Sequence, residues 1–129
     1  MNSEYPYPIA KIGLIGGGQL GRMTVEAAKK IGCECIVLDP TEGSPAGQIA
    51  KKQIIGSHHD EEKINQLALE ADLITFELEN INTEALQKLE NQGYKIFPSP
   101  SVLRTIQDKL TQKKFLKSHK IPSADFLPI

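Results

Sequence analysis

Gly16, Gly18 and Gly21 stand at G-x-G-x-x-G spacing directly after the apolar run Ile12–Ile15, where a helical pattern begins. The stretch reads as a strand, a tight turn and a helix start. Glycine suits such a turn because a β-carbon would oppose a positive φ and hold a ligand phosphate away from the backbone. The first amides of the helix have no acceptor inside it, and with the helix dipole they make a seat for an anion. The plainer alternative is a bend that only lets a helix pack tightly on a sheet. The spacing does not say whose phosphate would bind.

A second chemical stretch is Glu77-Leu-Glu-Asn80, which follows the apolar run Leu73–Phe76. Carboxylates at the end of a parallel strand lie where open α/β sheets bind ligands. If the stretch stays extended, Glu77 and Glu79 share one side and suit hydrogen bonding to ligand hydroxyl or amino groups. The alternative is a solvated acidic loop. Asp39 closes a third apolar run, Cys35–Leu38, and stands 18 residues after Gly21. In a dinucleotide fold an acid there grips a ribose hydroxyl; equally, an aspartate before Pro40 can cap its own turn. His58 and His59 are adjacent, point in different directions and lack a third ligand, so a metal site is not expected there. Cys33 and Cys35 alternate along a strand start and read as reduced thiols.

These residues need elements to position them. A helix is expected over Gln19–Lys30, with Leu20, Met23, Ala27 and Ile31 on the face that meets the sheet and Gly32 ending it. Ser44-Pro45 signals a short helix through Ala50, and Gln53–Gly56 a third strand. Asp60 caps a helix with a buried stripe of Ile64, Leu67, Ala68 and Ala71. Asn82 caps the next, with Ile81 and Leu86 at staple positions and Gly93 past its end. Lys95–Phe97 reads as a fifth short strand, Pro100–Gln107 as a helix, and Asp108 as the cap of another running to about His119. Lys109, Lys113, Lys114, Lys117 and Lys120 give that last helix a solvated basic face. Ala124–Leu127 looks like a strand just beginning, so the chain reads as cut short. Strands alternating with helices give an α/β fold, a doubly wound, Rossmann-like parallel sheet of about four or five strands.

Composition narrows the partners. The 129 residues suffice for one domain and its core. Acidic and basic residues nearly cancel, 16 against 15, and no basic run covers a face, so nothing points to nucleic acid. No apolar run suggests a membrane span or signal peptide, and a cytoplasmic protein is expected.

Three stretches taken together, Gly16-Gly-Gly-Gln-Leu-Gly-Arg-Met23, Leu38-Asp-Pro40 with Ser44-Pro-Ala-Gly47, and Thr75-Phe-Glu-Leu-Glu-Asn-Ile81, resemble the amino-terminal domain of the 5-(carboxyamino)imidazole ribonucleotide synthases. These are the ATPase subunits of phosphoribosylaminoimidazole carboxylase. Pro98-Ser-Pro100, Gln107-Asp-Lys-Leu-Thr-Gln-Lys-Lys-Phe-Leu116 and Ile121-Pro122 are similar to the family's passage into its ATP-grasp region. The resemblance divides the chain into a leader over 1–8, a Rossmann-like pre-ATP-grasp domain over 9–98, and a helical connection over 99–129. It implies an ATP-dependent ligase of purine biosynthesis that uses bicarbonate to carboxylate 5-aminoimidazole ribonucleotide, with magnesium between phosphates and carboxylates, commonly as a homodimer. It places the phosphoryl-transfer parts elsewhere, so this stretch alone is expected to be inactive and to bind neither ATP nor magnesium. By the same resemblance Gly18, Gln19 and Leu20 seat the 5′-phosphate, Glu77, Glu79 and Asn80 face the aminoimidazole ribonucleotide, and Lys109 reaches ATP. It transfers no role to Asp39. The competing readings are the dinucleotide-binding domain of an oxidoreductase, supported by the glycines and Asp39, and a non-catalytic nucleotide sensor.

Overall fold

A computed structural model describes residues 11–129; the leader expected over 1–8 lies outside the described residues. The elements are β1 (Lys11–Ile15), α1 (Gln19–Lys30), β2 (Glu34–Asp39), β3 (Lys52–Ile55), α2 (Glu61–Glu70), β4 (Leu73–Phe76), α3 (Thr83–Asn91), α4 (Pro100–Gln107) and α5 (Lys109–Ser118). The strands form one parallel sheet in the order β3-β2-β1-β4. Register pairs Ile15 with Leu38 on one side and with Phe76 on the other. The carboxyl ends of β1, β2 and β4 therefore finish level, and the glycine bend, Asp39 and Glu77 emerge along one edge. The chain leaves β1 toward β2 on one side and returns to β4 on the other, which makes the gap between β1 and β4 the place where such sheets take ligands.

Because both faces of a parallel sheet are covered, its strands are apolar along their length. Ile15, Ile36, Leu38 and Ile74 point into a cluster with Ile64 and Leu67 of α2, Leu86 and Leu89 of α3, and Leu103 of α4. Leu14, Cys35 and Val37 point the other way, against Val25 and Ala28 of α1, with Ala46 and Cys33. Each fully buried leucine or isoleucine contributes roughly 1.5–3 kcal/mol. Cys33 and Cys35 are buried thiols of this second core. Burial pushes the Cys35 thiol above its ordinary value, the neighbouring Cys33 adds to the rise, and Lys29 opposes it. Asp60 and Asn82 cap α2 and α3 through the amides of Glu62, Lys63 and Ala85. Among the described residues no helix is long and apolar enough to cross a membrane.

The structure corrects five expectations. Leu20, Met23 and Ile31 are exposed, at 61%, 63% and 70%, as is Ala27; α1 instead buries Gly21, Val25 and Ala28. The cause is Gly21, where a Cβ would stand 2.5 Å from the Gly16 carbonyl oxygen, so the helix turns its smallest side inward to reach the bend. Residues 45–50 form successive turns rather than a helix: the Gln48 and Ala50 amides do donate to Ser44 O and Ala46 O, but the Lys51 amide turns away to Cys35 O as the chain enters β3. The Ala46 amide donates to Gly17 O, and the Gln48 side chain donates to Gly43 O. Ala71 lies past the end of α2 as its C-cap and is only partly buried. Lys95–Phe97 pairs through the single bridge Ile74–Ile96, since Pro98 has no amide to extend it. Residues 124–127 have no regular structure, having no strand beside them.

Candidate functional site

The glycine bend is fixed from beneath. Gly16 has φ +104°, and a Cβ there would stand 2.3 Å from Leu78 Cδ2, so both backbone and space demand glycine. Its amide donates to Leu38 O at 3.0 Å, and the next amide, of Gly17, donates to Asp39 Oδ2 at 2.8 Å. Gly18 is the N-cap of α1, and no side chain caps the helix start. The Gly18, Gln19 and Leu20 amides at this end of α1 thus have no capping side chain, as an anion seat requires, and the Glu77 carboxylate stands beside them. Gly18 itself has space: a Cβ would meet only Glu77 Oε1, at an ordinary 3.4 Å.

Asp39 proves to be a structural aspartate. It is 8% exposed. Oδ2 accepts from the Gly17 amide and Oδ1 from the Thr41 amide, each at 2.8 Å. The turn-capping alternative is therefore the one realised, and the carboxylate pins the bend as well. With both oxygens turned to the backbone, the ribose grip that supported an oxidoreductase loses its residue. His58 Nε2 lies 3.4 Å from Asp39 Oδ2. Among the described residues no group of three or more His, Cys, Asp or Glu gathers as a metal site.

The acidic stretch divides between two surroundings. The Glu77 amide donates to Ile15 O at 3.1 Å, continuing the β1–β4 ladder by one residue and bringing its carboxylate against Gly16 and Gly18. Glu79 and Asn80 are exposed. Gln107, at the end of α4, donates its side-chain amide to Glu79 O at 2.7 Å and Ile81 O at 2.9 Å. Asn80 Oδ1 meets His59 Nε2 at 3.1 Å, and the Asn82 amide donates to His58 O at 3.2 Å. Lys109 is the exposed first residue of α5, a helix that packs on α4 and buries none of its residues.

The structure thus brings Gly18, Gln19, Leu20 and Glu77 together, sets Glu79 and Asn80 on an outer rim, and leaves Lys109 on a separate helix. Sequence reasoning did not single out Gln107 or His58 as holding parts of the site. For Gln107 the signal was its place at the end of a helix that had to return to the sheet. For His58 there was none, since the contact with Asp39 exists only once β2 and β3 pair.

A family profile describing the ribonucleotide synthetase pre-ATP-grasp domain matches residues 9–107. The chain belongs to this family. Within it, the N5-carboxyaminoimidazole ribonucleotide synthase of Brucella melitensis is 42% identical over 117 residues, which are 91% of this chain and 32% of that protein. The crystal structure of the N5-carboxyaminoimidazole ribonucleotide synthetase from Thermotoga maritima superposes with a TM-score of 0.86 at 52% identity, covering 91% of this chain and 32% of that one. The synthase from Aspergillus clavatus, solved in complex with ADP and 5-aminoimidazole ribonucleotide, gives a TM-score of 0.82 at 41% identity over 91% of this chain and 31% of its own. The chain spans about a third of the length of the curated relatives it matches. The pre-ATP-grasp family and the four-stranded parallel sheet agree with the expected Rossmann-like fold.

Proposed function

We propose that this chain is the substrate-side domain of an ATP-dependent synthase that carboxylates 5-aminoimidazole ribonucleotide with bicarbonate in purine biosynthesis. The observation that carries this reading is the meeting of unlike groups at one helix start. The uncapped amides of Gly18, Gln19 and Leu20 suit a phosphate, while the Glu77 carboxylate beside them suits the amino or hydroxyl donors of the same ligand. A sugar phosphate bearing an amine carries both kinds of group. The Aspergillus relative, crystallised with 5-aminoimidazole ribonucleotide, supports that choice.

On this reading Glu79 and Asn80 line the rim of the ribonucleotide site, and Lys109 reaches ATP as a point charge for its phosphates. Residues 9–98 form the substrate domain and 99–129 the connection toward the nucleotide-binding part, in a cytoplasmic homodimer. The described residues do not fit a magnesium site, because they gather no set of carboxylates. On this reading the magnesium that such phosphoryl transfer uses is held by other parts of the enzyme. What these residues do is bind and orient: the amides fix the phosphate end, and Glu77 holds the amine end at a set distance from it.

Titration of the 129-residue chain with 5-aminoimidazole ribonucleotide, followed by amide NMR, tests this. The expected result is saturable movement of the Gly18, Gln19 and Leu20 amides, diminished in Glu77→Gln. Movement only with NAD, or at residues remote from the bend, overturns it.

A further inference from the structure

We propose that His58 is a positioning residue that holds the glycine bend in place through Asp39; that the bend seats a phosphate rests on the reading above. A nearly buried carboxylate is costly unless its oxygens are satisfied and its charge is offset. Two backbone amides satisfy Asp39 in part. The imidazole of His58 stands next to them, with Nε2 3.4 Å from Oδ2, the same oxygen that receives the Gly17 amide. Nε2 is closed off from solvent, and its 3.4 Å approach to Oδ2 falls short of hydrogen-bond geometry, so a small turn of the ring is what would bring it into a bond with this carboxylate. With its proton on Nε2 the ring donates toward Oδ2 and keeps the carboxylate facing both amides.

The other end of His58 is anchored too. Its carbonyl accepts the Asn82 amide at 3.2 Å, and its neighbour His59 holds Asn80 and, through its own carbonyl, the Asn82 side chain. The loop after β3 therefore touches both halves of the candidate site, the ring on the bend side and the backbone on the acidic side. Removing the imidazole takes away the polar group that faces Asp39 Oδ2 beside the Gly17 amide. The carboxylate is then free to turn toward water and release that amide.

The test compares His58→Gln with His58→Met in the full chain. The two side chains are of similar length, and only the first can donate. Two readouts are used. In the unliganded protein the Gly17 amide resonance reports its bond to Asp39, and in wild type a slowly exchanging Nε2 proton of His58 is expected that disappears in Asp39→Asn. With ribose 5-phosphate as the probe, His58→Met is expected to weaken binding about tenfold, as for loss of a buried hydrogen bond, while His58→Gln restores most of it. Equal thermal unfolding of the two variants separates this from a general loss of fold. A wild-type Gly17 resonance in His58→Met, or equal weakening in both variants, overturns the proposal. Absence of ribose 5-phosphate binding by wild type would instead sink the phosphate reading, while the Gly17 and Nε2 signals still decide the role of His58.

Discussion

At the glycine bend every hold comes from the sheet or from beneath it: Gly16 on Leu38, Gly17 on Asp39, Ala46 on Gly17. Three to five residues past β4, the rim of the acidic loop is held from outside, by the side chains of Gln107 at the end of α4 and His59 in the loop after β3. Glu77 belongs to the first arrangement and Glu79 to the second, although one residue separates them. The glycine bend and the Glu77 carboxylate beside it are thus built into the core, whereas the rim is attached to it. Changes to the first that its backbone has no room for should damage fold and binding together. Changes to the second should alter binding or mobility alone.

The largest expected effect comes from Gly16→Val. A branched side chain at φ +104°, with Leu78 Cδ2 2.3 Å from its Cβ, should cost about 4 kcal/mol, read from urea unfolding; a cost under about 1 kcal/mol would show that the bend is not tied to the core. Leu103→Ala comes next, since this wholly buried side chain attaches α4 to the main cluster. A loss of about 3 kcal/mol is expected, accompanied by faster hydrogen exchange at Ile81. A stable variant with an unchanged rim would remove α4 from the comparison.

Gln107→Ala should loosen the rim without unfolding the domain. Its two hydrogen bonds to carbonyls are worth about 1 kcal/mol each at most, and amide relaxation over 78–81 is the measurement. Gly18→Ala is the sharper contrast with Gly16. The site has space for a methyl group, so stability should change by about 1 kcal/mol or less, while affinity for the ribonucleotide falls; equal affinity would remove the phosphate from this helix start.

The smallest effect concerns α5. The Asp108 carboxyl is held below its ordinary value of 3.8, first by the Thr111 backbone amide it accepts and then by the Thr111 side chain, with Lys114 assisting. A carboxyl lowered by folding stabilises the helix above its unfolded value and loses that contribution as the pH falls through the folded one. Exchange at the Thr111 amide should therefore accelerate as acid takes the pH below about 3.8, with the sheet amides unchanged. Sheet amides that respond in step would mean that α5 is not the independent attachment it appears in its packing.

How much of this was legible depends on the range of the interactions. Strands and caps were readable because Leu73–Phe76 or Asp60 act through neighbours in the chain. The face of α1 was not, because apolar size favoured Leu20 and Met23, while the close approach of Gly21 to Gly16 O decides which side turns inward. The segment after Ser44 has correct helix-start chemistry, with the Gly47 amide donating to Ser44 Oγ. It fails to continue because the Lys51 amide donates to Cys35 O, carrying the chain into β3 after little more than one turn. In the site, glycine spacing and the acids were visible as types. The two parts played by Asp39, cap and pin, depended on where Gly17 would lie once β1 and β2 paired.

The placing of β4 beside β1, with Glu77 bonded to Ile15 O, also has a consequence during synthesis. A nascent chain that has left the ribosome only as far as α2 already possesses the bend and the means to pin it, but has nothing to set opposite. Closing so long a loop is entropically slow, so competence to take a ligand should arise late and abruptly, when Phe76 docks, rather than accumulate as the chain lengthens.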